Sequence, residues 1–322
     1  MIPCSRCGAQ SVALVRYSGQ HLCDRHFCET VEKRFARGAR GPSKLRKGAK
    51  VAVAISGGKD SVTLLRLARK VFHERTGIAV EAIIVDEGIA GYRAGGVRVA
   101  KRECKALGVR LHVVKFEDLF GMTLDRVAKL DPKTNPCSYC GVWRRSALNR
   151  KAKEIGAARL LLGHNLDDTA ESLLMNFAKG DVERLARMGP HDAPQPGLVP
   201  RVVPLRTVPE EEVKLYSILK RMNVLEAECP YANRAHRGQF VRMLAKLEDS
   251  TPGTRHAMLR GHEAMRDALR ASFPPASLKS CDCCGEPSAS RTCKACEMVA
   301  KIGALGRAGQ RRASRLAAAQ SV

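Results

Sequence analysis

The chain has 322 residues, 44% of them apolar, enough for one sizeable core with small satellites. Fifty-six basic residues face 32 acidic ones, and the net charge of +24 points to a polyanion. With aromatics at 4%, a stacking platform for single strands is disfavoured and a structured RNA held by its phosphates fits better.

No run of roughly 18 apolar residues occurs, and the start MIPCSRCGAQ has no signal-peptide pattern. A soluble, cytoplasmic protein without membrane contact is expected. Thirteen cysteines in such a chain indicate metal rather than disulfides.

Residues 1–35 read as a small zinc-binding module. Cys4-x-x-Cys7 and Cys23-x-x-His26 offer four soft ligands in two pairs, the set that tetrahedral zinc takes. Cys28 competes with His26, but only His26 repeats the spacing of the first pair. Residues 36–49 are a basic linker punctuated by Gly and Pro.

From residue 50 to 272 the pattern is α/β. Buried-strand runs at 51–56, 80–86, 110–116 and 158–163 alternate with helical patterns after Lys59 and at 97–108, 141–156 and 164–181. This alternation predicts a doubly wound parallel sheet. The Pro-rich stretch 189–209, with Pro190 and Pro194 among its prolines, reads as irregular. Helices are expected at about 210–222, 238–249 and 254–271.

Residues 273–300 form a second zinc-binding module, with Cys281-x-x-Cys284 and Cys293-x-x-Cys296 as ligands. Cys283 lacks the spacing that Cys281 has to Cys284. The basic tail 301–322, with Arg311, Arg312 and Arg315, is expected to be disordered or helical only on RNA.

Ser56-Gly57-Gly58-Lys59-Asp60-Ser61 joins the first α/β strand to its helix. Backbone N–H groups at such a turn form an anion site, and glycines allow close approach to phosphates. Lys59, Ser56 and Ser61 can add donors, whereas Asp60 suits Mg²⁺ or loop orientation. The spacing is not that of a Walker A loop. A plain glycine turn with a capping side chain is the alternative.

Gly163-His164-Asn165-Leu166-Asp167-Asp168 follows the fourth strand. Both segments fall at carboxyl ends of strands, where open α/β sheets bind ligands. Asp167 and Asp168 could serve Mg²⁺ or only cap the helix.

Cys137 and Cys140 open a helix, and Cys229 lies far downstream. Three thiolates do not complete a structural zinc site. They could hold a [4Fe–4S] cluster through three irons, a zinc with an outside ligand, a redox pair, or a persulfide relay. Spacing alone leaves these open.

The SGGKDS loop resembles the pyrophosphate loop of the PP-loop ATPases, which cut ATP between the α- and β-phosphates. GHNLDD resembles a second nucleotide-side motif of that superfamily. Together with the two zinc modules and the central cysteines, the chain resembles the TtuA-type and cytosolic tRNA 2-thiouridine synthetases over about residues 4–296. VDEGIAGYR (85–93), EDLFG (117–121), CSYCGVWRR (137–145) and LLMNFAKGD (173–181) carry the likeness to the wobble-uridine enzymes, so the wobble position is favoured over the T-loop.

The resemblance implies a PP-loop, HUP-like α/β fold with two flanking zinc modules. It implies ATP and Mg²⁺ bound by Ser56–Ser61, Gly163, His164, Asp167 and Asp168, with Asp86 facing the adenosine. Cys137, Cys140 and Cys229 are then ligands of a [4Fe–4S] cluster whose free iron carries sulfur. The implied reaction adenylates O2 of a tRNA uridine, with Asp60 and Asp168 in catalysis, and sulfur then displaces AMP. Arg144 and Arg145 either neutralise the departing phosphate or contact tRNA. Sulfide or a ubiquitin-like thiocarboxylate protein is the implied donor, and a homodimer the implied assembly. A non-catalytic zinc-ribbon RNA-binding protein and a PP-loop amide ligase or amidotransferase are the competing readings.

Overall fold

The computed structural model describes residues 2–40, 45–46, 48–74, 76–189, 195–232 and 237–319, without the side chains of Glu74 and 309–319. Residues 41–44 and 47 of the linker, Pro190 and Pro194, residues 320–322, and the side chains of Arg311, Arg312 and Arg315 lie outside the described residues.

An antiparallel hairpin, β1 (Ala13–Val15) and β2 (Gln20–Leu22), leads into α1 (Asp24–Ala39). The α/β unit then runs β3 (Lys50–Ala54), α2 (Lys59–Ala68) with a π-helical extension at Arg69–Glu74, β4 (Ala79–Asp86), α3 (Arg93–Leu107) and β5 (Arg110–Lys115). Short helices α4 (Phe116–Phe120) and α5 (Leu124–Leu130) precede α6 (Pro136–Glu154), β6 (Arg159–Leu161), α7 (Leu166–Ala178) and α8 (Val182–Arg187). β7 (Arg201–Val202), α9 (Glu210–Leu219), α10 (Gly238–Ser250) and α11 (Thr254–Ser272) follow, then the hairpin β8 (Lys279–Ser280) and β9 (Pro287–Ser288), and α12 (Lys294–Ala319).

The central sheet has five strands in the order β5-β4-β3-β6-β7, all parallel. β3 sits in the middle because the chain winds outward through β4 and β5, then returns to β3's other side with β6. That reversal opens a crevice at the carboxyl ends of β3 and β6, where doubly wound sheets take ligands.

Strand periodicity splits the core in two. Val51, Val53, Val80, Ala82 and Ile84 pack with Phe35, Leu64, Leu65, Val213 and Tyr216 on one face. Ala52, Ile83, Val85 and Leu160 pack with Phe116, Phe120, Trp143 and Ile302 on the other. The N-terminal module, through Cys4 and Cys23, joins the first face, and the C-terminal module, through Cys281 and Cys293, joins the second. Trp143 anchors the second face: it stacks on Phe120 with ring centroids 4.6 Å apart and donates Nε1–H to Ala295 O at 3.3 Å.

Two expectations need correction. The stretch read as irregular contains β7, whose register Leu160↔Arg201 completes the sheet edge. Two residues flanked by prolines give no periodicity to read. At the other end, the chain does not break at residue 300: α12 runs through it, Ile302 is buried, and Lys301 Nζ sits 2.6 Å from Asp131.

Candidate active site and metal centres

The loop after β3 is built around Ser61. Its hydroxyl accepts from the N–H groups of Ser56 (3.0 Å) and Gly57 (3.1 Å) and donates to Gly58 O (2.9 Å). The hydroxyl expected to reach a ligand is therefore engaged in shaping the turn. Gly57 has φ +95°, and a Cβ there would stand 2.7 Å from Gly96 Cα on α3. Gly58 differs: a Cβ would meet only Ser56 Oγ at 3.8 Å, so the space beside it is open. Gly58 caps α2 with no side-chain hydrogen bond, leaving first-turn N–H groups of that helix for an anion.

The two loops touch. A Cβ on Gly163 would lie 3.4 Å from Asp60 O, and Asn165 Nδ2 donates to Asp60 Oδ1 at 3.1 Å. Asn165 also caps α7 in a reciprocal box: it accepts from Asp168 N at 3.0 Å, while Asp168 Oδ2 accepts from Asn165 N at 3.1 Å. Asn165 was not among the expected site residues, although the Asn-x-x-Asp spacing carries the capping signal.

Asp60 takes Lys59 Nζ at 3.0 Å on its other oxygen. Burial pushes the Asp60 carboxyl up from its ordinary value, with Lys59 and Asn165 opposing. Lys59 Nζ is shared with Glu210 at 2.6 Å. Burial works against the charge, but Glu210 and Asp60 outweigh it and raise the Lys59 pKa. Asp168 faces the cleft and meets Arg237 Nη1 at 3.1 Å, while Arg237 Nε also holds Glu171. Arg237 and Glu171 lie outside the motifs and were not foreseen.

Asp167 does not join this group. It is buried, with one oxygen on Arg255 Nε at 2.9 Å and the other on Glu210 N at 2.8 Å. Adjacent helical residues point about 100° apart, so Asp168 and Asp167 cannot serve one face. His164 lines the same cavity as Asp168. Asp86 ends β4 and accepts from Gly88 N at 2.9 Å, which fixes the turn after the strand.

Cys137 and Cys140 stand in the first turn of α6, where Asn135 caps and Pro136 occupies the first position. Cys137 Sγ lies 3.7 Å from Tyr231 O, and Ala232 N donates to Cys229 O, so the downstream cysteine arrives in the same corner. Arg144 Nη2 lies 3.1 Å from Cys140 Sγ and 2.7 Å from Glu87 Oε1. Glu87, buried, also pairs with Arg93, whose Nη1 donates to Ser56 O at 3.2 Å. Leu225 N donates to Gly57 O at 2.8 Å, so the segment leading to Cys229 is tied to the nucleotide loop as well.

The terminal sets are compact. Cys4 and Cys23 Sγ each lie 3.4 Å from His26 Nδ1, and Cys7 and Cys23 Sγ are 3.8 Å apart. Cys284 and Cys293 Sγ are 3.7 Å apart. A tetrahedron with zinc–sulfur bonds of ~2.3 Å has an edge near 3.8 Å, so both sets fit one such ion each. Burial opposes it, but backbone N–H groups of Cys23, Arg6 and Cys7 and the His26 ring hold the Cys4 thiol at about 5. Cys293 N and its neighbours hold Cys281 at about 6. Cys28 packs in the core and Cys283 is exposed, and neither belongs to a set.

Cys137, Cys140 and Cys229 do not all lie within 4.8 Å of one another, unlike either terminal set. A single tetrahedral ion requires shorter spacing. Three thiolate donors brought to this corner are the donor chemistry that an iron–sulfur cluster takes.

A PP-loop domain model matches residues 28–246, and a model of the N-terminal LIM domain of the 2-thiouridine synthetase TtuA matches residues 4–28. The chain is 38% identical to the tRNA 2-thiolation protein NcsA of Haloferax volcanii, covering 94% of this chain and 99% of that one. It is 32% identical to the tRNA-5-methyluridine(54) 2-sulfurtransferase of Pyrococcus horikoshii, over 91% and 92%. Among solved structures it resembles the U34-tRNA thiolase NcsA of Methanococcus maripaludis with its [4Fe–4S] cluster: TM-score 0.76, 34% identity, 83% of this chain and 89% of that one.

Proposed function

Since this chain belongs to the PP-loop family of tRNA 2-thiouridine synthetases, we propose that it uses ATP to replace O2 of a tRNA uridine with sulfur, at the wobble position rather than in the T-loop. The observation that carries this reading is the wiring of one cleft: the nucleotide loop, the Asn165–Asp168 cap and the Cys137–Cys140 turn are joined through Asp60–Asn165 and Arg93–Glu87–Arg144. The likeness to the U34 enzyme supports the wobble position.

The N–H groups at the start of α2, with Ser56, Gly57, Gly58 and Lys59, hold the ATP phosphates. Asp60 and Asp168 would place Mg²⁺ against them, Asn165 holding the Asp60 carboxylate through Nδ2 and the Asp168 carboxylate through its backbone N–H. Gly163 and His164 shape the cleft wall, and Asp86 serves the adenosine side. Arg144, held by Glu87, neutralises the phosphate of the departing AMP. Cys137, Cys140 and Cys229 hold the [4Fe–4S] cluster; when bound, its remaining iron supplies a place for sulfur as a nucleophile at neutral pH.

Cys4, Cys7, Cys23 and His26 hold one zinc and Cys281, Cys284, Cys293 and Cys296 a second. The modules at 1–35 and 273–300 flank the catalytic domain 50–272. Sulfide or a ubiquitin-like thiocarboxylate is the donor, the assembly is a homodimer, and the reaction is cytoplasmic. No helix among the described residues is long and apolar enough to cross a membrane. A non-catalytic RNA-binding protein or an amide ligase leaves the three central cysteines without a task.

The test is anaerobic incubation with tRNA, ATP, Mg²⁺ and sulfide, followed by nucleoside mass analysis and fragment mapping. 2-Thiouridine at the wobble position is expected. The product only in the T-loop would overturn the site, and no thiolated nucleoside would overturn the reaction.

A further inference from the structure

Most guanidiniums lining the cavity of His164 and Asp168 are paired with carboxylates: Arg34 with Glu212, Arg206 with Glu263, Arg237 with Asp168 and Glu171, Arg266 with Asp267. Arg145 and Arg201 have no carboxylate partner among the described residues. The Arg145 side chain folds back over the turn bearing Cys137 and Cys140, its Nη1 3.4 Å from where a Cβ on Gly141 would stand.

Arg201 projects from β7 at the junction of two cavities. One, of about 650 Å³, contains His164 and Asp168. The other, of about 220 Å³, lies between α6, β6 and the C-terminal module and is also bordered by Arg145. Burial pushes the Arg145 pKa down, and Arg201, Arg184 and Arg144 push it further. Crowded, desolvated and unpaired cations are costly unless an anion sits between them.

We propose that Arg145 and Arg201 bind one phosphodiester of the tRNA strand, with the adjoining base seated in the 220 Å³ cavity against Val142, Leu160 and Leu162. The proposal rests on the tRNA reading above. Guanidinium forks match phosphate oxygens, and the apolar wall takes the faces of a base. Pro287 and Cys293 of the C-terminal module close the cavity, which gives that module a part in holding RNA. Arg201 also borders the cavity of His164 and Asp168, so a strand held here continues toward the nucleotide loop.

The experiment measures binding of a labelled tRNA transcript across a potassium chloride series, together with ATP affinity and zinc content. The variants are Arg145→Gln, Arg201→Gln, the double variant, Arg201→Lys, and Ser146→Phe, which fills the cavity without changing charge. Each glutamine variant is expected to weaken tRNA binding roughly three- to tenfold, and the double variant, which gives up the one phosphate, to lower the log–log salt slope by about 1. Arg201→Lys keeps the slope. Ser146→Phe weakens binding at unchanged slope. ATP affinity and zinc stay as in wild type.

An unchanged slope in the double variant would overturn the phosphate site. Loss of ATP affinity with tRNA affinity intact would assign the guanidiniums to ATP instead. Wild-type affinity in Ser146→Phe would remove the base from the cavity. Wild-type protein that binds and thiolates tRNA no better than the double variant refutes this inference alone. Wild-type protein that binds no tRNA refutes the reading beneath it.

Discussion

Glu87 Oε1 lies 2.7 Å from Arg144 Nη2, and that same nitrogen lies 3.1 Å from Cys140 Sγ. Because Glu87 also holds Arg93, and Arg93 holds Ser56 O, one buried carboxylate connects the nucleotide loop to a central cysteine.

Glu87→Gln removes the charge that two guanidiniums share. Glu87 and Arg93 are both almost fully buried, so an uncompensated cation is left in the core. The unfolding free energy should fall by about 3 kcal/mol. Denaturant titration at pH 7 reads it directly, and an unchanged midpoint would mean that the pair does not contribute.

Gly57→Ala and Gly58→Ala should differ. Gly57 needs positive φ and backbone contact with Gly96, so alanine there displaces the loop. A displacement near 1 Å can cost about a hundredfold in rate, read as pyrophosphate release, with reduced stability. Gly58→Ala meets no steric obstacle in the folded chain, so its stability should be near wild type while ATP binding weakens. Equal melting temperatures for the two would contradict the loop geometry.

Glu81 gives a pH-dependent control away from the cleft. Burial opposes it, but hydrogen bonds from Lys50 and His112 hold its carboxyl below the ordinary value of 4.5. A depressed carboxylate stabilises the fold above its unfolded pKa, and that contribution is lost as pH falls through the folded value. Glu81→Gln should cost about 1–2 kcal/mol at pH 7. The gap to wild type should close as pH falls below 4.5 toward the lower folded pKa. A gap that stays constant with pH would exclude the ion pairs as its source.

The sheet and its ligand crevice were legible because four strands carry apolar runs and both loops sit at strand ends. β7 was not, since two residues have no period. Asp60 and Asp168 were expected from local motifs, and the structure brings them to one place, both bonded to Asn165, with Asp168 meeting Arg237. Asp167 was expected beside Asp168 but turns to Arg255 and Glu210 N instead, since a pair of acids in text says nothing of which face each takes. Glu87, Arg93 and Arg237 act through partners distant in sequence, and long-range ion pairs leave no spacing to read. Cys28 and Cys283 were separable from the expected ligand sets by C-x-x-H and C-x-x-C spacing, and neither falls in the two compact groups of the described residues.

Metal analysis should find about two zinc per chain. Cys4→Ser and Cys281→Ser should each lose one and destabilise the fold, because burial in opposite faces of the core couples each module to the sheet. Cys283→Ser, at an exposed position outside the set, should keep both. Full zinc in Cys4→Ser would remove that residue from the ligand set.

The central claim is that Cys137, Cys140 and Cys229 act together through a cluster rather than as a redox or persulfide pair. The most direct measurement is anaerobic tRNA thiolation, with sulfide as donor, in iron-loaded, iron-stripped and single Cys→Ala proteins, with iron content and ATP turnover measured alongside. The expected result is loss of iron and of thiolation together in all three variants and in stripped wild type, with zinc, folding and ATP turnover retained. Full thiolation by iron-stripped wild type, or by any one of the three variants, would contradict it.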